Sequence, residues 1–329
     1  MIQDITHLLT DTMFTAILAH FDISPDGLIR HDGFCSFVYA GKQRERDVIL
    51  KISHSGRLGI GALKDELLFV AEVAKTSAHV CAPLITSDAI LAIPDDRGEC
   101  FFAYLYELVD GTNLDNIDVD DDPDNALITA AGEALGSFHA ASQRIDATRF
   151  AHRKSFTEQD YVQYRDILPA DETDTLECFD RIMNEVNALP MGGSAFGLIH
   201  GDAHDGNFMV SEDRACLIDF DEVERGFYVS DVANLLESLT EREGMRTEAF
   251  VSSAFDAILD GYSRFMNLRD LDWSTMGLFM KFSWISDHCF VYRQYAEANT
   301  DGFQRRRERR RALFASDFEE DRFLHHFDY

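Results

Sequence analysis

The chain has 329 residues, 46% of them hydrophobic, which is ample for a large core and at this length points to two lobes. Its 30 basic and 59 acidic side chains leave a formal charge of −29, which argues against binding nucleic acid or an anionic membrane surface, since both require basic patches. Six scattered cysteines (35, 81, 100, 178, 216 and 289) form no CxxC pair, so a reducing, cytoplasmic setting is expected, without zinc or disulfides.

The opening MIQDITHLLTDTMF lacks the basic start of a signal peptide, and no apolar run reaches the length of a membrane span. Helical spacing of apolar residues places an amphipathic helix over 4–20. FCSFVYA (34–40) and DVILKIS (47–53) read as strands joined by the polar turn GKQRER. ALKDELLFVAEVA (62–74) reads as a helix; AILAIP (89–94) and CFFAYLYELV (100–109) are strand-like again. Together they predict an antiparallel sheet with one inserted helix. After DGTNLDNIDVDDDPDN (110–125) the composition changes: ALITAAGEALGSFHAAS (126–142) is a helix of small residues, and from 225 onward the pattern is helical. The boundary near Val109–Gly111 gives an N-terminal lobe of 1–109 and a helical C-terminal lobe of 110–329, with no internal repeat.

The stretch LIHGDAHDGNFMV (198–210) concentrates polar chemistry directly after an apolar pair. Asp202 and Asn207 are five apart, and the expected hairpin NFMV, SEDR, ACLIDF returns Asp219 to the side of Asn207. A carboxylate and an amide oxygen then form a hard-oxygen site suited to Mg²⁺, which favours a few protein oxygens completed by phosphates and water. Asp202 is left to accept a proton. That division of labour suits phosphoryl transfer, in which positioning and charge neutralisation dominate. Gly201 and Gly206 permit tight backbone turns. Any one of these acids alone would pass for a solvated turn with His200 and His204 satisfied locally; the set at this spacing points to chemistry.

HGDAHDGN followed by LIDFDE resembles the aminoglycoside phosphotransferase and choline kinase-like superfamily, whose fold is similar to that of protein kinases. The pattern H-G-D-x-H-x-x-N, a hairpin, then apolar-apolar-D-x-[DEG] is complete, and GFYVSDVANLL (226–236) matches a downstream feature. HSGRLGIGALKDELLFVAEVAKTSAHVCAPLITS (54–87) and YVQYRDILP (161–169) resemble the bacterial homoserine kinase-like and stress-response-kinase-like branch. The resemblance implies an α+β, bilobal protein-kinase-like fold, with an N-terminal antiparallel sheet lobe carrying one helix and a larger helical C-terminal lobe. It implies ATP and Mg²⁺ as cofactors, Asp202 as catalytic base, and Asn207 and Asp219 as metal ligands. His200, His204 and Asp221 would support the loop, and Asp231, at the start of a helix, would anchor its backbone.

In a kinase-like fold a strand lysine pairs with the phosphates and a helix glutamate holds that lysine. Lys51 in VILKIS and Glu66 in KDELLFV fit these roles, against the alternative of an ordinary surface ion pair. FFAYLYELVDG (101–111) would be the last strand and hinge, with backbone groups at Tyr106–Leu108 meeting adenine and Phe102 and Tyr104 packing in the sheet. A full G-x-G-x-x-G loop is missing; Gly33 and Gly41 remain, and Ser36 is either a phosphate donor or a neutral strand residue.

The expected acceptor is a hydroxyl of a small metabolite such as an amino alcohol, a sugar or an aminoglycoside-like compound. The alternatives are a Ser/Thr protein kinase of the stress-response type and a non-catalytic nucleotide-binding protein of the same fold. Only DEVERGFYVS (221–230) separates Asp219 from Asp231, too short for a long peptide-docking segment. The acidic runs DVDDDPD (118–124) and DETDTLE (171–177) would either favour a cationic acceptor or simply solvate loops. FQRRRERRR (303–311) reads as an exposed helix whose arginines pair with the chain's own acids, against the alternative of binding phosphate or an acidic partner. Trp284, Phe290, Tyr292 and Tyr295 sit on a helical segment that either lines the acceptor pocket or packs as core. The sequence sets no oligomeric state.

Overall fold

The computed structural model describes residues 5–31, 33, 36–118, 125–158, 168–170, 172–212, 214–240, 247–295 and 301–315. Most of the two stretches YVQYRDILP and DVDDDPD lies outside the described residues. The chain divides into two compact units, Met1–Asp110 with Thr148–Arg153, and Gly111–Ala147 with Lys154–Tyr329.

The first unit opens with α1, Asp11–His20, preceded by Thr10, whose side chain accepts from the Met13 N–H at 3.3 Å. That cap starts α1 at Asp11, inside the expected 4–20, because the Thr oxygen satisfies one of the N–H groups of the first turn. Strands β1 (Ile29–His31), β2 (Phe37–Gln43), β3 (Arg46–His54), β4 (Leu91–Pro94) and β5 (Cys100–Glu107) form one antiparallel sheet in the order β1-β2-β3-β5-β4. The helix α2, Ile60–Val73, lies between β3 and β4 in the chain.

Side chains alternate between the two faces of a strand. Val48, Leu50 and Ile52 of β3 and Phe101, Ala103 and Leu105 of β5 join Ile17 and Leu18 of α1 in one buried cluster. Each such fully buried Leu, Ile or Phe is worth roughly 1.5–3 kcal/mol, so this face supplies much of the unit's cohesion. The opposite face carries Lys51, Ser53, Tyr104 and Tyr106, with Lys51 opposite Tyr104 in register. Alternation therefore frees one face for polar work.

The second unit contains β6 (Thr112–Asn113), α3 (Ala126–Ser142), α4 (Thr173–Ala188), β7 (Phe196–Ile199), β8 (Phe208–Ser211), β9 (Arg214–Leu217), β10 (Glu224–Phe227), α5 (Tyr228–Thr240), α6 (Glu248–Tyr262), α7 (Met276–Tyr295) and α8 (Asp301–Ala315). The small residues of α3 have a packing reason. A Cβ on Gly132 would stand 2.2 Å from the Ile258 carbonyl oxygen and one on Gly136 2.6 Å from that of Tyr262, so α6 approaches α3 at backbone distance.

Two expectations need correction. Residues from 225 onward are not helical throughout: β10 pairs antiparallel with β7, Glu224 opposite Ile199 and Phe227 opposite Phe196. A four-residue strand is defined by its partner, not by its own short pattern. The arginine-rich helix α8 does pair with the chain's acids, but it is not simply exposed. Arg310 is 1% exposed, with Nη2 3.4 Å from Glu237 and from Asp287 and its guanidinium 5.6 Å from the Trp284 ring. Arg307 and Arg311 meet Glu172 at 2.7 and 3.2 Å. Among the described residues no helix is long and apolar enough to cross a membrane.

Candidate active site

The loop after β7 is built from backbone groups pinned by one buried acid. Asp231 lies in the first turn of α5 and is 1% exposed. Its Oδ2 accepts from the His200 N–H at 2.7 Å and its Oδ1 from the Gly201 N–H at 2.9 Å. Near a helix N-terminus the dipole favours the carboxylate as well. His139 of α3 adds a third bond, Nε2 to Asp231 Oδ2 at 2.9 Å, while its Nδ1 meets the Tyr262 hydroxyl at 2.7 Å. Burial pushes the His139 pKa down although Asp231 pulls the other way. The neutral ring then donates from Nε2 and accepts at Nδ1. Burial, with Asp231 nearby, pushes the Tyr262 hydroxyl well up, so it remains the donor.

Gly201 is required here twice over. Its φ is +80°, and a Cβ would fall 2.2 Å from the Glu222 carbonyl oxygen. The next residue is Asp202, whose side chain is 46% exposed. One turn of 3₁₀ helix, Asp205–Asn207, follows. It is fastened by Asp205 N–H to Ser238 Oγ at 2.9 Å and by Asn113 Nδ2 to the Gly206 carbonyl at 2.6 Å.

Asn207 is 6% exposed and its amide has a defined orientation. Nδ2 donates to the Asp202 carbonyl at 2.8 Å and approaches Asp202 Oδ2 at 3.4 Å, which turns Oδ1 the other way. The hairpin β8–β9 continues in register, Phe208 opposite Leu217, and the Ile218 N–H donates to the Asn207 carbonyl at 3.0 Å. Asp219 is thereby brought one residue from that bond. It is exposed and has φ +60°, a left-handed conformation that costs a non-glycine residue roughly 1 kcal/mol or more. The conformation persists because the hairpin on one side and the buried Phe220 on the other over-determine it. His200, fully buried, bonds the Ile218 carbonyl through Nε2 at 2.9 Å, tying the loop after β7 to the far end of the hairpin. Asp221, two residues after Asp219, is 8% exposed.

His204 sits between acids, Nε2 3.8 Å from Asp202 and Nδ1 3.8 Å from Asp205. Partial burial opposes its charge, but Asp202, Asp205 and Asp219 outweigh that and raise its pKa to about 9. Nδ1 also stands 3.0 Å from the Gly206 N–H, a bond open only to the neutral ring. Three acids outweigh one backbone bond, and protonation turns Nδ1 into a donor facing Asp205.

In the first unit the polar sheet face brings together a second group. Glu66 of α2 is fully buried and accepts from the Tyr106 hydroxyl through Oε1 at 2.9 Å. Burial, reinforced by Glu66, pushes that hydroxyl well above its ordinary value and keeps it a donor. Tyr106 thus spends its side chain on Glu66. Lys51 is 5% exposed on the same face. The Ser36 hydroxyl is internal, 2.9 Å from Ser53 Oγ, which in turn lies 2.9 Å from the Tyr104 hydroxyl. Glu107 N–H donates to Ala82 and its carbonyl accepts from Cys81, so the backbone of Leu108 follows a residue already engaged on both sides. Trp284 is fully buried and Tyr292 nearly so, with Arg307 of α8 over the Tyr292 ring at 5.4 Å, which assigns both to helix packing.

Sequence reasoning missed His139, Tyr262, Ser238, Asn113 and Arg153. Arg153 lies 3.9 Å from Glu66.

An Asp-bearing loop, an oriented Asn and a hairpin-borne Asp in one unit, with an antiparallel sheet in the other, are the parts of phosphotransferases with a protein-kinase-like fold. Residues 30–269 match the profile of the phosphotransferase enzyme family, well over half of the chain, and the chain belongs to that family. Amicoumacin kinase of Bacillus subtilis (strain 168) is 27% identical over 204 residues. The match takes in 61% of this chain and 60% of that relative, so the chain spans about three fifths of the relative's length in this comparison. Among solved structures, an amicoumacin kinase in complex with AMP-PNP, Ca²⁺ and Ami has a TM-score of 0.87 at 19% identity, covering 96% of each chain. A microcompartment-associated aminopropanol kinase has a TM-score of 0.74 at 17% identity, covering 97% of this chain and 99% of that one. The α+β protein-kinase-like fold and the aminoglycoside phosphotransferase and choline kinase-like superfamily are therefore those of this chain.

Proposed function

We propose that the protein transfers the γ-phosphoryl group of ATP, with Mg²⁺, to a hydroxyl of a small amine-bearing metabolite, and that Asp202 is the catalytic base. The acceptor oxygen attacks the γ-phosphorus, the bond from that phosphorus to the β–γ bridging oxygen breaks, ADP leaves, and the hydroxyl proton passes to the Asp202 carboxylate. The observation that carries this reading is the orientation of Asn207. Its amide nitrogen is spent on Asp202, so its side-chain oxygen faces away from that loop, while its main-chain carbonyl bonds Ile218, the residue before Asp219.

An amide and a carboxylate oxygen suit Mg²⁺, which keeps several waters and takes phosphate oxygens. When bound, Mg²⁺ supplies neutralisation of phosphate charge. Asn207 and Asp219 would hold it. Asp231, His200, His204 and Asp221 would keep the loop in place. In the N-terminal unit Lys51 would pair with nucleotide phosphates, Glu66 would hold Lys51, and the backbone at Tyr106–Leu108 would meet adenine. Ser36 would contribute through its backbone, its hydroxyl being engaged with Ser53.

A small acceptor is favoured over a protein one because Glu224–Phe227 are taken up in β10, leaving little chain between Asp219 and Asp231 for peptide docking. An amine is favoured by the acidic charge of the chain and by amicoumacin and aminopropanol kinases among its relatives. A cytoplasmic setting belongs to this reading, supported by the thiols of Cys81, Cys100, Cys178, Cys216 and Cys289.

The test is calorimetry of Mg²⁺-dependent ATP binding. Asp219→Ala should abolish it and Asn207→Ala should weaken it less, because an amide carries no formal charge. Equal or reversed effects would overturn the division of ligands.

A further inference from the structure

Glu66 is gripped from two sides. Tyr106 holds Oε1, and Nη1 of Arg153 faces Oε2 at 3.9 Å while also donating to the Ala62 carbonyl at 3.3 Å. Arg153 is 3% exposed. It ends a stretch, Thr148–Arg153, that packs with the N-terminal unit although it follows α3 in the chain.

That stretch engages α2 along its length. Arg149 is bidentate to Glu72 at 2.9 and 2.6 Å. Phe150 meets the Phe69 ring edge-on at 5.6 Å. The His152 N–H and Nδ1 meet Asp65 Oδ2 at 2.8 and 3.1 Å, and the His152 ring lies where a Cβ on Gly61 would stand. Gly61, Asp65, Phe69 and Glu72 recur every three or four residues, so they form one stripe along the helix. Arg153 differs from the others. Holding α2 needs only the pairs and rings already present, whereas burying a guanidinium incurs a desolvation cost that an apolar residue would avoid. It is placed against Glu66, the acid that bonds Tyr106 on the Lys51 face of the sheet.

We infer that Thr148–Arg153 is a strap that sets α2, and that Arg153 is a positioning residue which fixes the Glu66 carboxylate for nucleotide binding. The inference rests on the reading of Lys51 and Glu66 as the nucleotide-phosphate pair. A hydrogen bond from Tyr106 on one oxygen and the Arg153 charge 3.9 Å from the other favour one orientation of the carboxylate, as a partner for a lysine on the same sheet face requires. Arg153 acts through Glu66 and touches no reacting atom.

The experiment compares Mg²⁺·AMP-PNP affinity by calorimetry for the wild type, Arg153→Gln, Arg153→Lys, Glu66→Gln and the double variant Arg153→Gln/Glu66→Gln, with the melting temperature of each. Arg153→Gln keeps a donor for Ala62 and removes the charge, so a merely structural arginine would be spared. The expected result is a loss of affinity of about tenfold in Arg153→Gln, the scale of coupling through a packed network. Arg153→Lys should recover most of it, and the double variant should bind no more weakly than Glu66→Gln. Wild-type affinity in Arg153→Gln with a loss in Glu66→Gln would overturn the strap alone. Losses that multiply in the double variant would do the same. Wild-type affinity in Glu66→Gln would overturn the reading of Glu66 and the strap with it.

Discussion

Asp231 and Glu66 are both buried acids, one in each unit, yet they are held in different ways. Asp231 takes three bonds of 2.7–2.9 Å, two from backbone N–H groups and one from a neutral imidazole. Glu66 takes one 2.9 Å bond from a tyrosine and faces a guanidinium at 3.9 Å. Backbone partners cannot rotate away; side-chain partners can. The loop around Asp202 is thus built as a fixed platform. The Glu66 carboxylate is held by side chains alone, one hydrogen bond and one facing charge.

Substitutions should separate the two. The largest effect belongs to the proposed base: Asp202→Ala should lower turnover about 10²–10⁴-fold with nucleotide affinity nearly unchanged, read by steady-state kinetics beside calorimetry. Next, Asp231→Ala should cost roughly 3 kcal/mol of stability in denaturant unfolding, since it strands two backbone donors and His139 together, and activity should fall with it. Glu66→Gln keeps an acceptor for Tyr106 and should leave stability within about 1 kcal/mol while weakening ATP binding. A loss of stability in Glu66→Gln as large as in Asp231→Ala would erase the contrast.

The smallest effect is a difference between two histidines. Imidazole NMR should find His204 titrating near 9 and His139 titrating below the ordinary histidine value. Because the folded pKa of His139 is depressed, the unfolded chain binds that proton more readily. Its contribution to stability is present above the ordinary histidine value of about 6.5 and is lost as pH falls below it. For His204, whose folded pKa is raised, the contribution is complete below about 6.5 and is lost as pH rises through about 9.

What could be read from the sequence follows the same division. Asp202, Asn207 and Asp219 are joined by a short hairpin, so their convergence is local and the spacing alone implies it. Asp231 lies close behind, at the start of α5. The partners that complete the site come from far along the chain in unremarkable company. His139 sits in a helix of small residues, Asn113 in a two-residue strand, and Arg153 in a loop beyond α3. Nothing in their surroundings marks them, because their roles arise only when distant elements pack. The strand β10 was hidden for the same reason, its pairing being supplied by β7, and Arg310 was hidden because a run of arginines reads as surface until Glu237 and Asp287 close over one of them.

The most direct test of the central claim follows the γ-phosphate itself. Wild type and Asp202→Ala are incubated with γ-labelled ATP and Mg²⁺, once with a metabolite extract enriched in amino alcohols and once with a cell-protein extract. The account predicts label in amine-bearing small molecules with the wild type, close to none with Asp202→Ala, and none on protein hydroxyls. Label on protein with none in small molecules, or equal transfer by the two forms, would contradict it.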